Sequence, residues 1–520
     1  MNTLLRALGF GLAGVAQAAS IAAPWSGQPL WWLQLLSLAA LAWQLDALRT
    51  STSRRPGWLS AGLYGWLFAT AWLCGTFWWL FISLHTYGGL AAPLTVIAVL
   101  ALAAGLALYY AAACAFFVAF APASRALAAV LFAAVWTLAE LLRNSWFTGF
   151  PWGAGGYAHV DGPLAAYAPW LGVYGVGAVA AGIASLTALT LHRTRGRALA
   201  APLAAALLLL CVPASIGVLR GDGDEAANSR GRLSVAMLQG NIPQDEKFIP
   251  GGGVATALQW YGEQLQSATA SLVITPETAL PLLPAQLPPG YLDAIAARYA
   301  DGAQAAIVGL PLGDGRLYAN SLLGFRPKQT TPYRYDKHHL VPFGEFVPGL
   351  FRWFTDMMNI PLGDFRRGGL AQAQFEWQGQ RIAPNICYED LFGDEIGANF
   401  GSEAVAPTVL LNVSNIAWFG DTIAIDQHLA ISRMRTLEFQ RPMVRATNTG
   451  ATVVIDHRGR VTDALPPLTR GVLVAQVEGR TGLTPFAWWV SRFGLWPIWG
   501  CALLIVAAAF FWRSSAPRAP

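Results

Sequence analysis

The sequence predicts a polytopic α-helical membrane domain of eight spans joined to an outward-facing α/β domain. Three observations predict it. Only 12% of the residues are charged while 55% are hydrophobic, about half the charge content of a soluble chain, which runs near roughly 25%. Of the 29 acidic residues, all but Asp46, Glu140 and Asp161 fall between Asp222 and Glu478. Apolar stretches of the length a bilayer requires, about 20 residues, lie before and after that block. The boundaries that follow are a membrane domain over 1–222, a soluble domain over 223–480, and a last span with its tail over 481–520.

The apolar stretches run near 4–23, 29–48, 57–84, 90–121, 125–142, 164–191, 198–219 and 494–512. The fourth is longer than a bilayer needs, so it is expected to tilt or break. Ala16-Gln17-Ala18 resembles a signal-peptide cleavage box. Further spans follow, however, and the charge pattern works best with the first stretch kept, so no cleavage is expected.

Arg6, Arg49, Arg54, Arg55, Arg125, Arg193, Arg195, Arg197, Arg513 and Arg518 share one side, against Arg143 alone in the short loops of the other. Basic residues mark the cytoplasmic side. Both termini are therefore expected in the cytoplasm. The soluble domain follows an odd number of spans and faces outward, into the periplasm of a bacterial inner membrane. No pair of outward cysteines implies a disulfide. The net charge of +5 reflects this topology, and no basic patch with interleaved aromatics points to nucleic acid. Glu140 is expected to pair with Arg143, and Asp46 with Arg49. Ionisable residues inside the spans are few, which argues against a transporter.

Within the soluble domain, runs rich in Val, Ile and Leu predict strands at 233–239, 271–275, 305–310, 319–325, 381–386, 407–413, 443–447, 451–455 and 471–477. Helical patterns lie near 254–268, 290–300 and 422–440. Strands separated by helices predict a layered α/β domain. Gly251–Gly253 lacks the strand and helix context of a phosphate loop and reads as a plain loop.

Cys387 is the only one of five cysteines outside an apolar, membrane-length segment. A cysteine in polar context is a candidate nucleophile for acyl transfer. That chemistry also needs a base for the thiol proton and a cation or N–H group for the oxyanion. Two further segments end strand-like runs and carry such groups: Ile274 through Pro281, with Glu277, and Tyr335 through Glu345, with Lys337. The chain has only Lys247, Lys328 and Lys337 against 31 Arg. A lysine kept among so many arginines suggests that a compact ammonium is wanted. Taken singly, Glu277 reads equally as a turn carboxylate, Lys337 as a solvated loop residue, and Cys387 as a buried structural thiol.

The order Glu, Lys, Cys on these flanking residues resembles the nitrilase superfamily of carbon–nitrogen hydrolases. With spans before and after the domain, the plan resembles the membrane-embedded apolipoprotein N-acyltransferase branch. The resemblance rests on Thr275-Pro276-Glu277, on Lys337 through Pro348, and on Cys387-Tyr388-Glu389, with Gln239 through Gln244 and Asn412 through Asp421 beside them. Glu389 matches that branch, where soluble nitrilases usually carry Asp. Phe248 departs from it, since a tryptophan is expected there.

The resemblance implies an αββα sandwich and an N-acyltransferase that needs no cofactor and no metal. Cys387 would be the nucleophile, Glu277 the general base, and Lys337, with backbone N–H groups such as that of Tyr388, the oxyanion support. Glu345, Tyr388 and Glu389 would play supporting roles. The implied partners are a phospholipid acyl donor, a diacylglyceryl-modified apolipoprotein acceptor and the bilayer. A membrane-tethered amidase, with water as acceptor, is the alternative.

His338 and His339 lack a third ligand at suitable spacing for a metal. His428, Arg433, Arg435 and Glu438 read as an ordinary polar helix face. The stretch 343–369 is unusually apolar for an outward domain, with Phe346, Leu350, Phe351, Trp353, Phe354, Met357, Met358 and Ile360. It is expected to be a membrane-facing lid between Gly344 and Gly363, the competing reading being a face packed on the core. Phe248 and Trp418 join Phe346, Phe351, Trp353 and Phe354 as substrate-contact candidates.

Overall fold

The computed structural model describes residues 3–49, 57–193, 199–220, 228–313, 317–329, 331–347 and 365–515. The chain forms two compact units. One comprises Met1–Phe81, Leu90–Gly221 and Phe493–Pro520, and the other Ile82–Gly89 and Asp222–Arg492.

In the first unit, helices occupy all eight apolar stretches. Among the described residues, four are long and apolar enough to cross a membrane: Thr3–Ile21, Ala92–Phe120, Arg125–Thr148 and Pro163–Arg193. Two bent pairs raise this to six if each is one span: Gly57–Phe77 with Leu80–Tyr87, bent by 64°, and Pro485–Phe493 with Trp496–Trp512, bent by 85°. The expected eight is therefore not reached by length and hydropathy. Trp31–Arg49 falls short because Gln34, Gln44, Asp46 and its tryptophans dilute the leucines. The expected single span over 57–84 is broken after Phe77 and ends in a π-helical turn, Ser83–Tyr87.

The segment 146–167 is irregular, with short 3₁₀ turns. Backbone groups freed from helices must find partners away from water, and buried side chains supply them. Gln34 Nε2 donates to the Gly155 carbonyl at 2.9 Å, and the Gly155 N–H donates to Glu140 Oε1 at 2.7 Å. Arg143 Nη1 donates to the Trp152 carbonyl at 2.6 Å. The expected Glu140–Arg143 pair is thus replaced by two separate bonds to backbone. Asp46 does pair with Arg49, at 3.5 Å, and is bound by Arg193 and His192 as well.

The second unit contains two six-stranded sheets. The strands are β1 (Ser229–Gln239), β2 (Leu272–Ile274), β3 (Ala305–Gly313), β4 (Tyr318–Phe325), β5 (Tyr333–Asp336), β6 (Phe375–Trp377), β7 (Gln380–Ile386), β8 (Val409–Ser414), β9 (Met443–Thr447), β10 (Thr452–Ile455), β11 (Val461–Leu465) and β12 (Gly471–Arg480). The orders are β12-β1-β2-β3-β4-β5 and β11-β10-β9-β8-β7-β6. Each sheet has three parallel central strands, β1-β2-β3 and β7-β8-β9, flanked by antiparallel ones.

Side chains alternate across a strand, and the core follows that alternation. Leu233, Val235 and Met237 of β1 pack with Ile382, Ile386, Leu411 and Val413 of the other sheet. Ala236 and Leu238 face the opposite way, onto Ala257, Tyr261 and Leu265 of the helix Gly253–Ser267 and Ile295 and Tyr299 of the helix Tyr291–Ala300. On the second sheet the helix Ala424–Phe439 packs against β9 and the segment after β7. The result is an αββα sandwich. All nine expected strands and three expected helices of this domain are present; β5 lies at the strand-like run expected to end in the Tyr335 segment, and two short strands, β6 and β11, were not foreseen.

Candidate active site

Glu277 lies beyond the carboxyl end of β2, Lys337 follows β5, and Cys387 follows β7. Parallel strands aim their carboxyl ends at one edge, where ligands bind in open α/β sheets. All three segments carry strain, the Lys337 segment at Phe343, with φ 61°. Cys387 has φ 53° and Thr278, beside Glu277, has φ 49°. Left-handed backbone at non-glycine residues costs free energy and collects at functional sites.

The three segments meet in a buried charge cluster. Lys337 Nζ, 1% exposed, lies 3.3 Å from Glu277 Oε1 and 2.9 Å from Glu345 Oε1. Asn320 Nδ2, from β4, donates to Glu277 Oε1 at 2.7 Å and to Glu345 Oε1 at 2.9 Å. The Asn415 N–H donates to Glu277 Oε2 at 2.7 Å. Asn415 is fixed in turn by Gln244 Oε1, at 2.8 Å, and by the amide of Asn448, at 3.1 Å. Glu345 Oε2 accepts from the Val341 N–H at 2.9 Å, which closes its own loop.

These contacts set the protonation states. Burial works against a charged Glu277, but Lys337, Lys247 and the donors Asn320 and Asn415 outweigh it and hold its carboxyl below the usual range. Burial likewise opposes the Lys337 ammonium, yet Glu277 and Glu345 raise its pKa above that of a free lysine. Cys387 is pushed up by burial and by the Glu277 charge, while Lys337 pulls it down. The resting site therefore holds a thiol, an ionised carboxylate and a fixed ammonium.

Glu389 accepts the N–H groups of His338, at 2.6 Å, His339, at 3.1 Å, and Ile386, at 2.5 Å, together with the Tyr335 hydroxyl at 2.9 Å. Burial pushes its pKa up and the three N–H donors counter that. Its geometry ties the Lys337 segment to the Cys387 segment. Tyr388 is buried, its ring against Phe392 at 5.4 Å. His338 Nδ1 lies 2.9 Å from the Gly368 carbonyl, and His339 stacks on Phe392 at 3.6 Å with Nδ1 2.8 Å from Glu395.

Beneath Cys387, His428 Nε2 lies 2.9 Å from Asp390 Oδ1 and 3.3 Å from the Cys387 carbonyl. Arg445 Nη1 lies 3.3 Å from Asp390 Oδ2, and its Nη2 2.8 Å from His428 Nδ1. Asn412 Nδ2 donates to the Cys387 carbonyl at 3.2 Å. The expected ordinary polar face is corrected here. His428, Arg435 and Glu438 are buried because the Cys387 turn, Gly393 and Thr484 enclose the helix. Periodicity alone does not separate such a helix from a solvated one.

Phe248 and Trp418 are exposed, and Trp418 meets Tyr87 edge-on at 5.8 Å. Phe346 lies 5.0 Å under the Arg367 guanidinium. Phe351, Trp353 and Phe354, with most of the expected lid, lie outside the described residues. Sequence reading missed Asn320, Asn415, Asp390, Arg445 and Lys247. Of these, Lys247 carried a signal in the scarcity of lysine, and Asn415 lay inside the stretch Asn412 through Asp421 without being singled out.

The residues 13–186 match the family model for the apolipoprotein N-acyltransferase N-terminal domain, and 234–486 match that for carbon–nitrogen hydrolase. The apolipoprotein N-acyltransferase of Verminephrobacter eiseniae is 60% identical over 498 residues, covering 93% of this chain and 92% of its own. That of Ralstonia nicotianae is 44% identical over 497 residues, covering 94% and 91%. A carbon–nitrogen hydrolase superfamily protein from Xanthomonas campestris, solved with an arsenic adduct in its active site, is 20% identical, covers 51% of this chain and 96% of its own, and has a TM-score of 0.35. With relatives this similar along nearly its whole length, the chain belongs to the apolipoprotein N-acyltransferase family, enzymes of the carbon–nitrogen hydrolase superfamily.

Proposed function

We propose that this enzyme moves a fatty acyl chain from a phospholipid to the α-amino group of a lipoprotein's diacylglyceryl-modified N-terminal cysteine, through a thioester on Cys387. The observation that carries the chemistry is a strained, partly buried cysteine whose thiol feels the charges of Glu277 and Lys337. Because burial keeps the thiol protonated at rest, attack needs a base at the moment of reaction. Glu277 takes the proton as sulfur attacks the ester carbonyl. Lys337 and backbone N–H groups, that of Tyr388 among them, stabilise the oxyanion. The ester C–O bond breaks and lysophospholipid leaves with a proton from Glu277. The substrate amine then attacks the thioester, Glu277 again takes a proton, and the thiol is restored.

The catalytic unit faces the periplasm of an inner membrane, with both termini in the cytoplasm. The arginine asymmetry of the loops and the apolar helices support this placement. The amidase alternative has weaker support, since the relatives that match nearly the whole chain are N-acyltransferases by name.

Mass analysis of the intact enzyme after exposure to phospholipid tests the proposal. An acyl adduct on Cys387 is expected, absent in Cys387→Ala and Glu277→Gln. Full transfer to an apolipoprotein by Cys387→Ala would overturn the mechanism.

A further inference from the structure

Lys247 sits in the loop after β1 and is 2% exposed. Its Nζ donates to the main-chain carbonyl of Glu277 at 3.3 Å and lies 5.9 Å from the Phe248 ring. Its charge acts on Glu277 and Cys387 together. Asp245 and Glu246, its neighbours in the loop, are exposed. Gln244, three residues before it, holds the Asn415 whose N–H binds the Glu277 carboxylate. One loop therefore grips Glu277 at both ends, the carboxylate through Asn415 and the main chain through Lys247.

The charges around the thiol give this ammonium a second task. Glu277 and Glu345 bring two negative charges against the single positive charge of Lys337. Passing a proton from Cys387 to Glu277 moves the negative charge onto sulfur but leaves the total at one excess negative. Glu389 is offset by its own backbone donors, and Asp390 by Arg445. Lys247 brings the cluster to neutrality, and in a buried site an uncompensated charge is expensive.

We propose that Lys247 is a positioning residue for the acylation half-reaction: it fixes the Glu277 main chain and supplies the second positive charge that the buried Glu277–Cys387 pair needs to exchange a proton. This rests on the reading of Glu277 and Cys387 given above. Burial pushes the Lys247 ammonium down to about 8, against the opposing pull of Glu277 and Cys387. The lysine therefore loses its charge on the alkaline side of neutrality. Acylation should then fall above that pH, where titration of a lone thiol would make it rise.

The test uses full-length enzyme in mixed micelles of detergent and phospholipid, without acceptor. Thioester formation on Cys387 is followed by quenched mass analysis between pH 6 and pH 10. Wild type should show a falling limb centred near pH 8. Lys247→Met should be slower by about 100-fold, the scale of losing one charge-stabilising donor, and should lack that limb. Lys247→Arg, which keeps its charge, should regain part of the rate and also lack the limb. If Lys247→Met keeps the wild-type rate, or loses rate while the falling limb stays, the inference is overturned. Where Lys247→Met does not fold, a limb that remains near pH 8 in Lys247→Arg overturns it instead. Cys387→Ala is the control on the underlying reading: acyl transfer that survives there removes the site assignment itself, whatever Lys247 does.

Discussion

The side-chain amide of Asn320 donates to Oε1 of Glu277 at 2.7 Å, and the same nitrogen reaches Oε1 of Glu345 at 2.9 Å. One neutral amide thus holds the two carboxylates that flank Lys337. It bridges them without adding charge to a cluster that already carries several.

Removing that amide should disorder the base. Asn320→Ala is expected to slow thioester formation by about 10- to 100-fold, the worth of a hydrogen bond to a charged group. Asn320→Asp should be slower still, because a third carboxylate would face the other two and raise the pKa of Glu277. Quenched-flow acylation with phospholipid reads both. Rates equal to wild type would mean that Asn415 and Lys337 hold Glu277 unaided.

Lys337 is enclosed by Glu277, Glu345 and Asn320 and is 1% exposed. Lys337→Arg keeps the charge but puts a wider planar group where a compact ammonium fits. Turnover should fall by about 100-fold or more while the protein stays folded. Near-normal turnover would show that the ammonium does not touch the reacting atoms.

Asp390 gives a pH-dependent prediction. Burial opposes its charge, but His428 and Arg445 outweigh burial and hold its carboxyl below the usual range. A carboxylate depressed in the folded state stabilises it above the unfolded pKa, about 3.9, and that contribution is lost as pH falls through the folded value. Asp390→Asn should lower the unfolding temperature at neutral pH by leaving Arg445 unpaired, at a cost of about 3–5 kcal/mol. The gap to wild type should narrow below about pH 4. A gap that does not change with pH would trace the loss to packing instead.

Topology can be read with reporters. One that works only in the periplasm should be silent when fused after Pro520 and active when inserted near Gly315. The reverse pattern would move the active site to the cytoplasm and exclude the proposed lipoprotein substrate.

The sequence by itself determined the run of apolar helices and the α/β class of the second unit, its nine main strands and three helices, and the candidates Glu277, Lys337 and Cys387, while the expected eight spans were not reached. These were legible because hydropathy, period-two burial and the ends of strands are local properties. The strands β6 and β11 were not, since they are short, lie at sheet edges and bury little; β11 has no fully buried residue. Only the tertiary structure decided the rest. It enclosed His428, Arg435 and Glu438, tied Glu140 and Arg143 to separate backbone groups, and brought Asn320, Asn415 and Lys247 to Glu277. Lys247 lies 30 residues from Glu277 in the chain and Asn415 lies 138 away. Electrostatic meaning at such separations belongs to distance in space, which no local pattern of residues encodes.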